Sequence, residues 1–382
     1  MQSAFDIAAD LDTPVSAYLK LAPFKPRFLL ESVEGGDRLG RYSFIGFGDS
    51  MEFRLTGGTY SLNGDSAPVP TTSDGLLNVL REALDRAPKP RPEIPGLPFA
   101  GGLVGTTAFE MNKRFENIGA TSEMDAAYMA PRSVLAFDHI TRRAAVLFDG
   151  SDDDRAKLRH EVIDALRGPL PARPSITPHA KPTPSLERDA FLSSVKRVKE
   201  YITAGDVYQL VLSISFKGAC DVPPFEVYRA LRLLNPSPYM YFCEFGDLAI
   251  VGSSPEALVR LTGREASLRP IAGTRPRGAN TEEDTSLEKE LLADPKENAE
   301  HVMLVDLARN DLGRVAVPGS IEVVPYRTIE RYSHVMHIVS GVRGVLPPET
   351  DAFDLFEAAF PAGTVVGAPK IRAMEIIEEL EP

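Results

Sequence analysis

The sequence predicts a mixed α+β protein with large, mostly antiparallel sheets, on three observations. First, short runs rich in β-branched and aromatic residues recur along the chain and are bounded by Gly, Asp or Pro: RYSFIGFG, MEFRLTG, SVLAFDHI, RAAVLFDG, VYQLVLSISF, YMYFCEFG, LAIVGSS and HVMHIVSGVRG. Second, these strands do not alternate regularly with helical segments, which argues against a doubly wound βαβ sheet. Third, 382 residues at 43% hydrophobic and 25% charged have an ordinary globular composition, long enough for two domains.

The elements follow in chain order. Ala87 to Pro98 (APKPRPEIPGLP) reads as a long loop. SDDDRAKLRHEVIDALRG reads as a helix, with acids in its first turn, Leu158, Val162 and Leu166 on one face, and Gly168 as its stop. Pro169 to Pro184 holds six prolines with almost no periodic apolar signal and reads as a stiff linker. A second helix spans Asp189 to Ala204, with Phe191, Val195, Val198 and Ile202 on one face and Gly205 closing it. The expected division is a first domain over 1–168, a linker over 169–186 and a second domain over 187–382. No internal repeat is present.

Composition excludes several functions. The 42 Lys and Arg against 54 Asp and Glu give a net charge of −12, the wrong sign for a general phosphate-backbone binder. No apolar run approaches the roughly 20 residues of a membrane span. The first residues, MQSAFDIAADLDTP, carry acids where a targeting peptide carries bases. Cys220 and Cys243 form no CxxC pair and no disulfide framework, which fits a reducing cytosol. A soluble cytoplasmic protein with no nucleic-acid or membrane partner is expected.

Four segments of the second half carry chemistry. Val207 to Phe216 as a strand places Gln209 among Val207, Val211, Ser213 and Ser215, where its amide lines a polar cavity or simply a half-exposed sheet face. In DPKENAEHVMLVDLARND, Pro295 suits a helix start, and Glu297, Glu300, His301 and Leu304 then share one face. Carboxylates at i, i+3 repel by a few tenths of a kcal/mol unless a cation separates them, and an oxygen-only pair favours Mg²⁺ over zinc. Acids in a first turn also answer the helix dipole without any metal. In PAGTVVGAPKIRAMEIIEEL a glycine-rich turn feeds a helix with Ile371, Met374, Ile377 and Leu380 beneath it. Its amino end, with Thr364 and Lys370, suits a carboxylate, or is a plain capped helix. In RPIAGTRPRG a strand ends in a tight turn through Gly273, where the amides of Gly273 and Thr274 can receive a carboxylate. Arg275 and Arg277 either join them or are solvated surface. Strand alternation puts His337 with Val335 and Val339, where it is a core residue or a site residue. GxSxG, HExxH and strand-borne GxGxxG motifs are absent, and neither cysteine sits in a nucleophile-type turn. Residue patterns alone reach a Mg²⁺-assisted enzyme acting on a small carboxylate.

Taken together, these segments resemble the chorismate-utilising enzymes, most closely their anthranilate synthase component I (large-subunit) branch. The strings that carry the resemblance occur in order: LLESVEGGDRLGRYSFIG, AGDVYQLVLS, NPSPYMYF, VGSSPEALVRL, RPIAGTRPRG, KENAEHVMLVDLARNDLGR, SHVMHIVSGVRG and FPAGTVVGAPKIRAMEIIEELEP. The fold so implied is the chorismate-binding-enzyme fold, large antiparallel sheets packed as a sandwich with helices outside.

By resemblance, Glu300 matches the direct Mg²⁺ ligand and Glu297 its companion, the cation holding the ring carboxylate of chorismate. Gly273, Thr274 and Thr364 match substrate contacts. Glu256 matches the acid that assists loss of the C4 hydroxyl, and His337 the histidine near the departing groups. Gln209 stands where water-using relatives carry a lysine base, and an amide cannot deprotonate water. Ala272 stands where many 4-amino-4-deoxychorismate synthases carry lysine. Anthranilate is therefore the implied product, with aminodeoxychorismate synthase as the alternative. Leu30, Glu31 and Ser32, with Pro238, Tyr239 and Met240, match a tryptophan pocket, which implies feedback inhibition by L-tryptophan. A glutaminase subunit is the implied source of ammonia. Two departures stand out: Val366 replaces a usual serine, and the chain stops at ELEP where relatives continue with further site residues. The second implies either a fragment or a non-catalytic tryptophan- or partner-binding subunit.

Overall fold

The computed structural model describes residues 4–33, 40–116, 118, 125–172, 181–332 and 334–381, which form two compact units. The first unit comprises Met1–Met111, Thr121–His179 and Cys220–Pro255. Its centre is a ten-stranded sheet. Six main strands are β1 (Pro26–Glu31), β2 (Tyr42–Thr56), β3 (Ala126–Asp138), β4 (Arg143–Phe148), β5 (Tyr239–Glu244) and β6 (Ala249–Ser254), in the order β4-β3-β2-β1-β5-β6. Every neighbouring pair among them is antiparallel. The period-2 pattern sends alternate side chains to two cores. Leu29, Ile45, Phe47, Leu135, Phe137, Met240 and Phe242 meet α1 (Pro14–Lys20), α3 (Asp152–Arg167) and α4 (Pro224–Leu234) through Ala17, Tyr18, Val162, Leu166, Phe225 and Tyr228, with α2 (Ser73–Arg86) also in this unit. Phe28, Phe44, Met129, Val134, Ala136 and Cys243 form the other core.

The second unit comprises Asn112–Ala120, Ala180–Ala219 and Glu256–Pro382. One sheet joins β7 (Arg260–Thr262), β8 (Glu265–Leu268) and β12 (Val342–Val345) with the short strand Glu322–Val323. A second has the order β9-β11-β10, from β9 (Ile271–Pro276), β10 (Thr328–Arg331) and β11 (Val335–Val339). The helices α5 (Thr281–Ala293), α6 (Pro295–Gly313), α7 (Ala352–Ala359) and α8 (Lys370–Leu380) pack with them. Asp294 caps α6 by accepting from the amides of Lys296 and Glu297, and Pro295 occupies its first turn, where a missing N–H costs nothing. Leu304, Val305, Ala308 and Leu312 are its buried stripe. Among the described residues no helix is long and apolar enough to cross a membrane.

The α+β class and the helix over Asp152–Arg167 agree with expectation. Four expectations need correction. The domain division does not fall at a single linker, because β5 pairs with β1 and carries Cys220–Pro255 into the first unit. Within the expected linker, 173–180 lie outside the described residues, and Thr183–Pro184 form a short strand against Phe216–Lys217. The continuous strand over Val207–Phe216 is instead two two-residue strands, Gln209–Leu210 and Phe216–Lys217, because their ladder partners are only two residues long. Under α8 the buried residues are Ala373, Met374, Ile376 and Ile377, whereas Ile371 is exposed and Leu380 half-buried, the core-facing stripe being rotated from the expected one.

Candidate active site

Sheet β9-β11-β10 and helix α6 bring four of the expected site residues together. Strand β9 does not end at Gly273. It continues to Pro276, and the expected turn is a β-bulge with Gly273 at φ +75° and the register shifting between Ala272 and Thr274. Glycine suits this position twice over. Its backbone lies in the left-handed region, and an added Cβ would stand 3.1 Å from Leu291, 3.2 Å from the Glu297 carboxylate and 3.3 Å from Ile338. After the bulge Thr274 sits opposite His337 in the ladder. The Thr274 hydroxyl lies 3.0 Å from His337 Nδ1, and the Gly273 carbonyl 3.2 Å from the same nitrogen. A protonated Nδ1 donates to the Gly273 carbonyl and leaves Nε2 as the ring's basic atom.

Glu297 occupies the first turn of α6 and Glu300 lies one turn further on; both are half-buried. Arg275 Nη1 stands 3.7 Å from Glu297, but its stronger partners are Glu290 at 2.8 Å and Asp294 at 2.9 Å. Arg277 clamps Asp284 through Nε and Nη2 and donates to the Tyr332 carbonyl. The Arg277 hydrogen bonds hold the Asp284 carboxyl down at about 2. Both arginines are thus committed within the protein, which corrects their reading as free carboxylate receivers or solvated surface. Lys370 is likewise not a ligand donor: it is buried 2.7 Å from Asp311 and faces the carbonyls of Ala358, Ala359 and Pro361. Burial, only partly offset by Lys370, raises the Asp311 carboxyl to about 6.

The other expected residues of this unit lie on neighbouring elements. Thr364 is half-buried in the 3-10 turn Gly363–Val365, which lies against α6 so closely that a Cβ on Gly363 would fall 1.8 Å from Leu307. Gln209 pairs with Ala368 and is half-buried. Along α6 a groove of about 890 Å³ is lined by residues including Tyr208, Val302, Met303, Asp306, Arg309 and Tyr326. Glu256 is half-buried, and desolvation, opposed by Arg269, lifts its carboxyl from 4.5 to about 7. That value lets one carboxyl act as a proton donor near neutrality, the property the expected role requires.

Among the described residues no group of three or more His, Cys, Asp or Glu could hold a metal. Glu297 and Glu300, one turn apart on α6, are the pair expected to face a cation. They fit Mg²⁺, which keeps several waters and is bound through one or two carboxylates plus substrate oxygens, and they do not fit a closed zinc cage. In agreement with that fit, no described hydrogen bond or ion pair holds the Glu300 carboxylate.

In the first unit the ladder puts Leu30 opposite Tyr241 and Glu31 opposite Met240, with Pro238 buried beside them and Tyr239 exposed at the strand start. The Glu31 carboxylate accepts from Tyr228 and, at 2.9 Å, from Arg232 Nε, so its charge is matched inside the protein. Ser32 Oγ is different: it is buried with no described partner.

Sequence reasoning did not find the network behind these residues. His301 is fully buried, its Nε2 2.7 Å from Ser340 Oγ, and burial with Arg327 nearby holds its imidazole down at about 4. Neither Ser340 nor Arg327 carried a local pattern that marks it.

Comparison with known proteins places the chain in a family. The family described as chorismate binding enzyme matches residues 25–382. Anthranilate synthase component 1 of Thermus thermophilus is 44% identical over 98% of this chain and 81% of its own length. The protein of the same name from Pseudomonas aeruginosa is 44% identical over 99% of this chain and 81% of its own length. The crystal structure of anthranilate synthase component I from Streptococcus pneumoniae superposes with a TM-score of 0.78 at 35% identity, covering 90% of this chain and 77% of that one. The menaquinone-specific isochorismate synthase of Escherichia coli shares the fold at a TM-score of 0.65 and 19% identity, over 96% of this chain and 75% of that one. The chain belongs to the chorismate-binding enzymes, among the anthranilate synthase component I proteins.

Proposed function

We propose that the chain converts chorismate and ammonia to anthranilate, pyruvate and water, opening tryptophan biosynthesis in the cytosol. The observation that carries this reading is the Gly273 bulge, which gathers Thr274, His337 and Glu297 in a protein alike to anthranilate synthase component 1 along nearly its whole length. In the reaction so proposed, ammonia adds at C2 of the ring as the C4 hydroxyl leaves as water. Glu256, protonated near neutral pH, donates the proton that makes the hydroxyl a leaving group. Loss of pyruvate from the amino intermediate then makes the ring aromatic, with His337 beside the departing groups. Gly273, Thr274 and Thr364 hold the substrate carboxylates. Glu297 and Glu300 are the residues that would hold Mg²⁺, which supplies charge stabilisation to the ring carboxylate when bound.

Two features favour this product. Gln209, an amide, cannot activate water as a nucleophile. Ala272 is a buried methyl with neither charge nor nucleophile. Ammonia would come from a glutaminase subunit, since neither cysteine is placed for glutamine hydrolysis: Cys243 is buried and its thiol is raised to about 12 by desolvation. L-tryptophan would inhibit by binding Leu30, Glu31, Ser32, Pro238, Tyr239 and Met240, its recognition including a hydrogen bond to the orphaned Ser32 hydroxyl.

The test is direct. Purified chain with chorismate, ammonium and Mg²⁺ is expected to release fluorescent anthranilate and one equivalent of pyruvate. Accumulation of an amino-chorismate without pyruvate would assign the aminodeoxychorismate reaction instead, and binding of tryptophan without any turnover would assign a non-catalytic subunit.

A further inference from the structure

We propose that Ser340 is a positioning residue that, through His301 and the Arg327 backbone, sets the rotation of α6 about its axis and so aims Glu297 and Glu300 at the β9 bulge. The inference rests on reading those carboxylates as the metal-facing pair.

Ser340 follows directly on β11, three residues beyond His337, and is fully buried. The Arg327 amide donates to its Oγ at 2.9 Å, and the same oxygen lies 2.7 Å from His301 Nε2. An amide can only donate, so Ser340 Oγ accepts from Arg327, and its remaining lone pair and its hydrogen leave it able to bond His301 Nε2 in either tautomer of the ring. His301 Nδ1 has no described partner, so Ser340 is the side chain that holds this ring.

The consequence is geometric. His301 adjoins Glu300 in sequence and stacks four residues after Glu297 on the same side of α6. Whatever holds the His301 ring holds the rotation of the helical turn from which both carboxylates project. A second tie reinforces it: Arg327 Nη2 donates to the Asn298 side chain and, at 3.1 Å, to the Leu292 carbonyl, and Asn298 Nδ2 donates to that carbonyl at 2.8 Å. The end of α5, the first two turns of α6, the start of β10 and the end of β11 are thus joined in one network, buried at His301 and Ser340 and half-buried at Arg327 and Asn298. With side chains reaching about 5–6 Å from a helix axis, a rotation of about 10° displaces a carboxylate by about 1 Å. Mg²⁺ requires oxygens at about 2.0–2.1 Å in near-octahedral geometry, so such a displacement is felt in affinity.

The experiment measures Mn²⁺ binding to the metal-free protein by electron paramagnetic resonance of the free ion, with chorismate present and ammonium absent. Ser340→Ala is expected to raise the dissociation constant about 10–100-fold, and Ser340→Cys, which keeps a weaker donor and acceptor in nearly the same volume, by less. Leu312→Ala, a core truncation towards the far end of α6, is expected to lower the melting temperature and leave Mn²⁺ binding unchanged. Should Ser340→Ala not fold, Ser340→Cys decides. Wild-type affinity in the Ser340 variants while Glu300→Gln weakens binding would overturn the positioning role alone, as would an equal loss in Leu312→Ala. No effect from Glu300→Gln would overturn the metal reading, and the inference with it.

Discussion

Replacing Glu256 with glutamine should make the protein more stable and less active, a combination that separates a functional carboxyl from a structural one. Desolvation raises this carboxyl from 4.5 to about 7, so the folded state holds the proton more tightly than the unfolded chain. The stability contributed by the protonated form is fully present below 4.5 and is lost as pH rises through about 7. At about 1.36 kcal/mol per pH unit, that interval corresponds to about 3 kcal/mol, an upper bound because Arg269 and residual solvent relieve part of the burial. The side-chain amide introduced by Glu256→Gln cannot ionise. The variant should therefore match the parent near pH 4.5 and exceed it by up to about 3 kcal/mol at pH 8, read from urea unfolding followed by circular dichroism at both values. Anthranilate formation should fall by about 10²–10⁴, the usual contribution of a general acid. A stability gain equal at both pH values, a loss of stability at pH 8, or undiminished turnover would each refute the reasoning.

Three further outcomes follow from the geometry. Gly273→Ala places a methyl in the left-handed region and about 3 Å from Leu291, Glu297 and Ile338; a destabilisation of about 1–2 kcal/mol with weaker Mn²⁺ binding is expected, by thermal melting and metal titration. Lys370→Met leaves Asp311 buried and unpaired and should cost about 3–5 kcal/mol in urea unfolding, most of it recovered in the double variant with Asp311→Leu. Ser32→Ala removes a buried hydroxyl without a described partner, so the ligand-free melting temperature should hold or rise slightly, while the upward shift produced by L-tryptophan in the parent shrinks.

Local signals read the regular elements well. The acids at Asp152–Asp154 and the apolar spacing of Val162 and Leu166 place a helix without help from the rest of the chain. The β-branched and aromatic runs YMYFCEFG and LAIVGSS give β5 and β6. Failures occur where the deciding partner is remote. Val207–Phe216 has the composition of one long strand, yet it pairs only at its two ends, at Gln209–Leu210 with Gly367–Ala368 and at Phe216 with Pro184, and the first pairing needs glycine because a Cβ at Gly367 would fall 2.2 Å from the Gln209 carbonyl. Gly273 invites a turn on local grounds; the strand beyond it persists because β11 continues to pair through Pro276.

The sequence by itself determined which side chains are available for chemistry: two carboxylates a turn apart on α6, a glycine and threonine read as a turn, a histidine in a strand. Helical and strand periods are local properties, so they are written in adjacent residues. Only the tertiary structure decided what those side chains are free to do. It enclosed Glu256 and raised its carboxyl towards neutrality, and it bound Arg277 to Asp284 and Lys370 to Asp311. It also left Ser32 Oγ without a described partner. Protonation and pairing depend on the dielectric and on partners that packing brings from distant parts of the chain, and no local pattern encodes them.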